Sequence, residues 1–527
     1  MVPSSSPVRL TGSALATAAL LSLAMPGGAG AWMLLFVAFI PLLGISLHQT
    51  PRRAAFFGLV GGLVYHLVLL YWIVIVLGRY GGLPLWVAVP VLLVLALYMA
   101  LYWGLFCLLL SFFAGRHFYR ERPLSTMVWM APLLWTGLEY GRGLLFSGFP
   151  WMDIGYGLAG QPGLIQAADL GGHYLVGFWL MLANSLIFYF VHRQRPGVEW
   201  NRRREQRVMM GLCCFFVFVA GYSLLRYRML APLVQRTLQA RITVVQGNIS
   251  QDRKWTPAFK ASTVAAYERL SRQALDEHTS ELVAWPETAL PFYPQDDPLA
   301  ARLYDFTRRE NAWLLTGAPT YRRLAGQGPA GRDRITFFNS ALLISPSGIV
   351  TGRYDKQHLV PFGEYVPLKK FLPFLEPVVE SVGDFSPGTS LEPLAVGDMK
   401  IGVLICFESI FPELARQEVL RGANILVNLT NDAWYGRSSA PHQTFAMAIF
   451  RAVENRRSLV RAANTGISGF VDPLGNVLAR TGLFEAAALT GNVPMYREQT
   501  LFTRSGYRFG AVCLAMIPTL LIFWRRR

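Results

Sequence analysis

The sequence predicts a polytopic α-helical membrane protein of about eight spans, with an α/β domain inserted ahead of the last span. Three observations carry that reading. The 527-residue chain is 53% hydrophobic and only 15% charged, whereas an ordinary soluble domain has roughly 25% charged residues. Disorder and a purely soluble fold are excluded together. The apolar residues gather into runs long enough to cross hydrocarbon, which takes roughly 20 residues per helix. The net charge of +17 is also uneven: residues 1–228 carry +10, residues 504–527 carry +5, and the stretch 229–503 only +2. Arginine between apolar runs is the pattern of membrane topology. A nucleic-acid surface would put its basic residues on the polar domain, so no nucleic acid is expected as a partner.

Eight runs bounded by Arg, Gly or Pro are expected as spans, near 10–26, 31–48, 54–77, 84–115, 125–141, 172–191, 208–225 and 508–524. The run at 84–115 is longer than one span needs, so it tilts or extends past the bilayer. The first run also fits a cleaved signal peptide, an alternative that leaves the later topology unchanged. Cytoplasmic loops are enriched in basic residues. Arg9, then Arg52 and Arg53, then Arg116, Arg120 and Arg122, then Arg193, Arg195, Arg202, Arg203, Arg204 and Arg207, and finally Arg525 to Arg527 fall on alternate loops. The opposite short loops offer only Arg79 and Arg142. Both termini are therefore expected in the cytoplasm. The expected organisation is seven transmembrane helices over 1–228, an extracytoplasmic domain over 229–503, and a last span over 504–527.

Within 229–503, short β-branched runs alternate with amphipathic segments: ARITVVQGN, ELVAWPETAL, AWLLTGAPTY, NSALLISPSGIV, KIGVLICFES, ANILVNLTND, SLVRAANTGISGFVD and AALTGNVP. Pro-Ser-Gly at 346–348 and Asp-Pro-Leu-Gly at 472–475 read as hairpin turns, and helices are expected over 256–276 and 441–457. Strands this continuously apolar belong to sheets covered by helices.

Five cysteines, Cys107, Cys213, Cys214, Cys406 and Cys513, are too scattered for a disulfide framework or a metal site. No GxSxG, HExxH or P-loop is present. Neither a metal nor any other cofactor is expected. Cys406 alone lies in the polar domain, directly after the apolar run Ile401 to Ile405. A thiol at a strand end can point into a cleft beside free N–H groups, although a lone cysteine is also commonly a buried structural one. Such a nucleophile needs a base and a partner for its oxyanion. Glu287 ends another apolar strand after a Trp-Pro bend, where burial is expected to raise its pKa toward that of a useful base. Lys356 follows a hairpin, placed to hold an oxyanion and lower the thiol pKa. A capping glutamate and an exposed lysine are the plain structural readings of the same two residues.

The segments Trp285-Pro-Glu287, Tyr354-Asp-Lys356 and Ile405-Cys406-Phe407-Glu408 resemble, in order and spacing, the Glu-Lys-Cys triad of the nitrilase superfamily. Such a domain between a seventh and an eighth span is similar to the bacterial apolipoprotein N-acyltransferases. Val245 to Asn248 with Trp255, Pro361 to Pro367, Asn428 to Gly436, Arg461 to Gly466, and Glu139 to Arg142 followed by Gly148 to Trp151 extend the match over the chain. The resemblance implies an αββα sandwich and a two-step transfer of an acyl chain. The donor is a phospholipid, the carrier a Cys406 thioester, and the acceptor the α-amino group of a diacylglyceryl-apolipoprotein at the bacterial inner membrane. It further implies Glu287 as general base and acid, Lys356 at the oxyanion, Glu364 and Glu408 orienting Lys356, and Trp255 lining the lipid site. The pattern departs at Phe407, where some relatives carry Tyr.

Both substrates lie in the bilayer, so an interfacial lid is expected over 366–379, where Leu368, Phe371, Leu372, Phe374 and Leu375 flank Lys369 and Lys370. His358 is expected to be structural or to touch substrate rather than to form a Cys-His dyad. Glu139 and Arg142, at i and i+3, are expected to pair with each other. Arg451, Glu454 and Asn455 are expected on the sheet side of their helix. Two other classes compete. A membrane-anchored nitrilase-type amidase would let water replace the amine, yet a soluble substrate needs no eight-span anchor. A transporter would need midplane charges and paired halves that the spans lack.

Overall fold

The computed structural model describes residues 6–114, 125–146, 148–192, 202–324, 334–361, 363–365 and 385–525. The expected lid at 366–379 and the loop arginines Arg116, Arg120, Arg122, Arg193, Arg195, Arg526 and Arg527 lie outside the described residues. Helices Pro7–Ala24, Pro51–Leu69, Leu85–Ala114, Ala168–His192 and Gln206–Arg236 are each long and apolar enough to cross a membrane. The remaining expected runs form Trp32–His48, Ser125–Arg142 and Arg508–Arg525. Small residues let these helices approach closely: a Cβ on Gly58 would stand 2.6 Å from Cys107 Sγ and one on Gly62 2.8 Å from Trp103 Cγ.

Two runs differ from the expected boundaries. The run at 54–77 is not one helix: Pro51–Leu69 stops, and Trp72–Ile75 and a wider turn over Val76–Tyr80 follow. At that break the Gln443 side chain donates to the Leu69 carbonyl over 3.2 Å, satisfying a helix-end acceptor from the other domain. The helix Arg202–Arg236 runs past residue 228, where the domain boundary was expected, and delivers the chain straight into β1 (Gln239–Gln246).

The inserted domain is two six-stranded sheets packed face to face between helices. One sheet has the order β12-β1-β2-β3-β4-β5, with β2 Leu282–Ala284, β3 Trp313–Leu324, β4 Arg334–Ile344, β5 Val350–Asp355 and β12 Ala487–Pro494. The other runs β11-β10-β9-β8-β7-β6, built from β6 Leu394–Val396, β7 Met399–Ile405, β8 Ile425–Thr430, β9 Ser458–Ala463, β10 Gly469–Val471 and β11 Val477–Arg480. The hairpins expected at 346–348 and 472–475 join β4 to β5 and β10 to β11. Ile242, Val244, Leu315 and Leu343 meet Val403, Ile405, Val427 and Val460 between the sheets. Lys260–Glu277 and Ala300–Glu310 cover one outer face.

The helices on the other outer face, Pro412–Leu420 and Ala440–Asn455, share one apolar core with the membrane helices. Burial there is sealed by polar bonds. Gln443 Oε1 accepts the indole N–H of Trp151 at 2.8 Å and of Trp72 at 3.2 Å. Glu454 accepts from the main-chain N–H of His173 at 3.0 Å, Arg451 donates to Tyr156 at 2.9 Å, and Arg456 pairs with Asp169 at 2.8 Å. Arg451 and Glu454, themselves paired at 3.1 Å, therefore face the membrane part and not the sheet, and there they meet Tyr156 and His173. The expected Glu139–Arg142 pair is also replaced: Arg142 binds Asp153, and Glu139 accepts the main-chain N–H of Ile154 at 2.9 Å. A buried carboxylate brought in by the fold outcompetes the local one for the guanidinium.

Candidate active site

Glu287, Lys356, Glu364 and Cys406 converge where strands of the two sheets end. β7 stops at Ile405, and Cys406 takes a left-handed backbone with φ of 54°. That conformation is costly for a residue with a Cβ and persists only where its surroundings enforce it. Enforcement comes from Glu408, which accepts the Ile405 N–H at 2.7 Å and so closes the turn. Ser409 donates to the Cys406 carbonyl at 3.0 Å.

Glu287 leaves β2 through Trp285, whose indole N–H donates to Ser271 at 2.9 Å and whose ring stacks on Tyr267. One carboxylate oxygen accepts from Asn339 at 2.9 Å and from Lys356 at 3.4 Å; the other accepts the Asn431 N–H at 2.9 Å. The Cys406 thiol stands close enough to this carboxylate to favour its ionised form. Lys356 is 1% exposed, and its Nζ lies 2.9 Å from Glu364. Asn339 spends its second amide hydrogen on Glu364, 2.8 Å away.

Burial pushes the Glu287 carboxyl up, but the Lys356 ammonium, the Asn339 bond, the nearby Cys406 thiol and the Lys254 charge outweigh it. Glu287 sits below the ordinary carboxylate range, which reverses the upward shift expected from burial alone. Burial pulls Lys356 down, yet Glu364 and Glu287 hold it above the usual lysine range. Burial and the Glu287 charge push the Cys406 thiol up despite Lys356, so the expected lowering of the thiol is not found. The resting site thus sets a protonated thiol near an ionised carboxylate beside a fixed ammonium. Such a set suits attack on a carbonyl carbon, with the thiol proton passing to Glu287 as the S–C bond forms.

The other expected residues stand around this centre. Glu408 does not touch Lys356; it accepts the N–H groups of Gln357 at 2.7 Å and His358 at 3.1 Å and the hydroxyl of Tyr354 at 3.0 Å, fixing the main chain on either side. Burial pushes its carboxyl up to about 7 against those bonds. Phe407 is buried and stacks toward Trp151 of the membrane part, with Phe411 at 5.1 Å. Trp255 is 45% exposed at the rim. The His358 ring lies 3.8 Å from that of Phe411, and burial with the Lys356 charge lowers it to about 4, which makes it a neutral aromatic wall.

Sequence reasoning missed Asn339, Asn431 and Lys254. Asn431 is tied to Gln251 and Asn464 by amide bonds of 2.9 and 3.0 Å. Its loop is pinned by the buried Arg461–Asp432 pair at 2.9 Å. Among the described residues no cluster of three His, Cys, Asp or Glu is arranged to hold a metal. Five residues beyond Asn431, at Gly436, the chain reaches an open groove of about 570 Å³ between the two domains. It is walled by Val74, Ile75, Leu83 and Leu85 and flanked by Arg79 and Arg437.

Residues 17–186 match the apolipoprotein N-acyltransferase N-terminal domain family, and residues 241–501 match the carbon-nitrogen hydrolase family. An apolipoprotein N-acyltransferase of Geobacter metallireducens is 42% identical over 95% of this chain and 92% of its own length. That of Methylococcus capsulatus is 33% identical over 85% and 83%. Among solved structures, an amidase from Nesterenkonia sp. AN1 is similar at a TM-score of 0.37 and 21% identity, over 51% of this chain and 97% of the amidase.

Proposed function

The chain belongs to the apolipoprotein N-acyltransferase family, and from that premise we propose that it transfers an acyl chain from a phospholipid to the α-amino group of a lipoprotein's diacylglyceryl-cysteine. The observation that carries the chemistry is the buried Glu287 carboxylate, held 3.4 Å from Lys356 and close to the Cys406 thiol.

In the first half-reaction the sulfur attacks the ester carbonyl and its proton passes to Glu287. Negative charge collects on the carbonyl oxygen, where Lys356 and the main-chain N–H after Cys406 are the proposed partners. Collapse breaks the ester C–O bond. Glu287 returns its proton to the departing alkoxide, which leaves as lysophospholipid. In the second half the lipoprotein amine attacks the thioester, Glu287 takes a proton from the nitrogen, and as the C–S bond breaks it passes that proton to the sulfur, restoring both the thiol and the ionised carboxylate. The thioester keeps the transfer potential of the donor, so the amide forms without a separate activation step.

Membrane placement of both substrates agrees with the groove walled jointly by the two domains. The alternating arginine loops support a catalytic domain on the extracytoplasmic face of the bacterial inner membrane. Incubation with phospholipid should add one acyl mass to the protein, with the adduct absent from Cys406→Ala and removed by hydroxylamine. An adduct that then passes to a diacylglyceryl peptide supports transfer. Release of free fatty acid with the peptide present but unmodified would favour the hydrolase reading instead.

A further inference from the structure

Lys254 is 0% exposed, and a buried ammonium is expensive unless something nearby needs its charge. Among the described residues it makes no ion pair. Its Nζ donates to Thr288 Oγ1 at 2.7 Å and to the Glu287 carbonyl at 3.3 Å. Thr288 is itself strained, at φ of 46°. The tether therefore grips the turn that aims the Glu287 carboxylate. The charge balance gives the second reason. Lys356 faces two carboxylates, Glu287 and Glu364, so one cation serves two anions before the thiol ionises. Lys254 is the other buried cation whose charge reaches Glu287 and Cys406, and burial lowers it to about 8 in spite of both.

We infer that Lys254 is a positioning residue for acyl transfer: it ties the Glu287–Thr288 turn in place and supplies a second buried positive charge that favours the ionised sulfur of Cys406. The same short helix, Gln251–Lys254, reaches Glu287 by another route, through Gln251 and the Asn431 N–H. On its outer side Asp252 lies 3.8 Å from Arg79 at the groove, and Trp255 follows directly. One turn of chain thus joins the groove wall to the general base.

The role rests on Cys406 being the acyl carrier, and its test is arranged to separate the two. The charged and titratable groups facing the Cys406 sulfur are Glu287, Lys356, Asp432, Tyr435 and Lys254. Lys254→Gln keeps a hydrogen-bond donor and removes only the charge. In the full-length enzyme, iodoacetamide alkylation mapped to the Cys406 peptide should then be about tenfold slower at pH 7, where Lys254 carries its charge, and should return toward the wild-type rate as pH rises through about 8, where Lys254 loses it. Acyl-enzyme formation from phosphatidylethanolamine micelles should slow with it at pH 7. Thr288→Val keeps the charge and loses the tether, so it should slow acylation with the alkylation rate unmoved. Lys254→Arg should alkylate at the wild-type rate at pH 7. Wild-type alkylation of Lys254→Gln at pH 7 overturns the proposal, whether or not acylation slows, because a purely structural lysine would slow acylation alone. Acylation of a Cys406→Ala control would overturn the carrier reading instead, and leave the alkylation result standing.

Discussion

Asn339 donates an amide hydrogen to Glu287 over 2.9 Å from the middle of β4. The bond belongs to the ionised form of the base, so it is one of the forces that hold Glu287 below the ordinary carboxylate range. Asn339→Leu removes it together with the bond to Glu364. A depressed carboxylate pKa extends activity toward acid, so removing the donor should move the acidic limb of the transfer rate to higher pH by about one unit, equivalent to about 1.4 kcal/mol. Single-turnover acyl-enzyme formation across pH 4 to 8 reads this. An unmoved limb would mean that Lys356 alone sets the ionisation of Glu287.

Much of the site is legible in sequence because its reacting groups stand where apolar runs stop. Glu287, Lys356 and Cys406 each follow a strand, and strand ends are where a side chain leaves the core for a cleft. Asn339 gives no such sign, since a polar residue within Phe337-Phe338-Asn339-Ser340 looks like the outward face of an alternating strand. Lys254 sits in Gln251-Asp-Arg-Lys, a run that reads as solvated; its burial follows from packing against the 287–288 turn. Charged pairs on helices are read wrongly for a related reason. Spacing brings Glu139 near Arg142, but Asp153 arrives by tertiary folding and takes the guanidinium. A sheet or sheet pair under helices was readable from strand content, and the two-sheet sandwich only through the family resemblance, whereas the end of the 54–77 run depends on Gln443, nearly four hundred residues away in the chain.

Glu408 should be intolerant of its closest isostere. Its two oxygens accept three main-chain N–H groups and the Tyr354 hydroxyl, and the carboxamide of Glu408→Gln would turn an NH2 toward donors. Losing acceptors for buried donors costs about 3 kcal/mol in total. The thermal midpoint should fall and Cys406 acylation should be lost with it. The pH dependence has a defined sign as well. Burial raises this group from 4.5 to about 7, so the folded protein binds its proton more tightly than the unfolded chain does. Its contribution to stability is full below pH 4.5 and is lost as pH rises through 7. The variant should lack that slope, which thermal unfolding between pH 4 and 8 would reveal; an identical slope in both proteins would remove Glu408 as its source.

Gly317 sits against the turn that carries Glu287. A Cβ there would stand 2.5 Å from Thr288 N, 2.6 Å from Glu287 Cα and 2.6 Å from Pro286 O, all main-chain atoms that cannot rotate away. Gly317→Ala must therefore shift the turn itself. A displacement of about 1 Å at a catalytic group costs on the order of a hundredfold in rate. Phospholipid affinity should be nearly unchanged, since Gly317 does not line the groove. Measured kcat and KM for donor lipid should separate, with the loss in kcat; full activity would show that the turn has room to yield.

Gln443 holds the catalytic domain to the membrane part, and its removal should test whether that junction is rigid by design of the polar bonds or by apolar packing alone. Its carbonyl serves the indoles of both Trp151 and Trp72, and its amide serves Leu69. Gln443→Leu has similar bulk but strands two buried N–H groups and one carbonyl, each costing about 1–3 kcal/mol when left without a partner. Gln443→Glu keeps an acceptor for the indoles and loses the donor to Leu69 and to the Ser439 hydroxyl, at the added expense of a buried charge. If the bonds hold the junction, Gln443→Leu should lower the thermal midpoint of the detergent-solubilised protein substantially and speed proteolysis at the domain boundary. Alkylation of Cys406 in the protein that remains folded should stay near the wild-type rate, because no Gln443 bond reaches Glu287 or Lys356. A wild-type midpoint in Gln443→Leu would assign the junction to the shared apolar core, in which Phe407, Phe445 and Phe450 pack with Trp151 and Trp72.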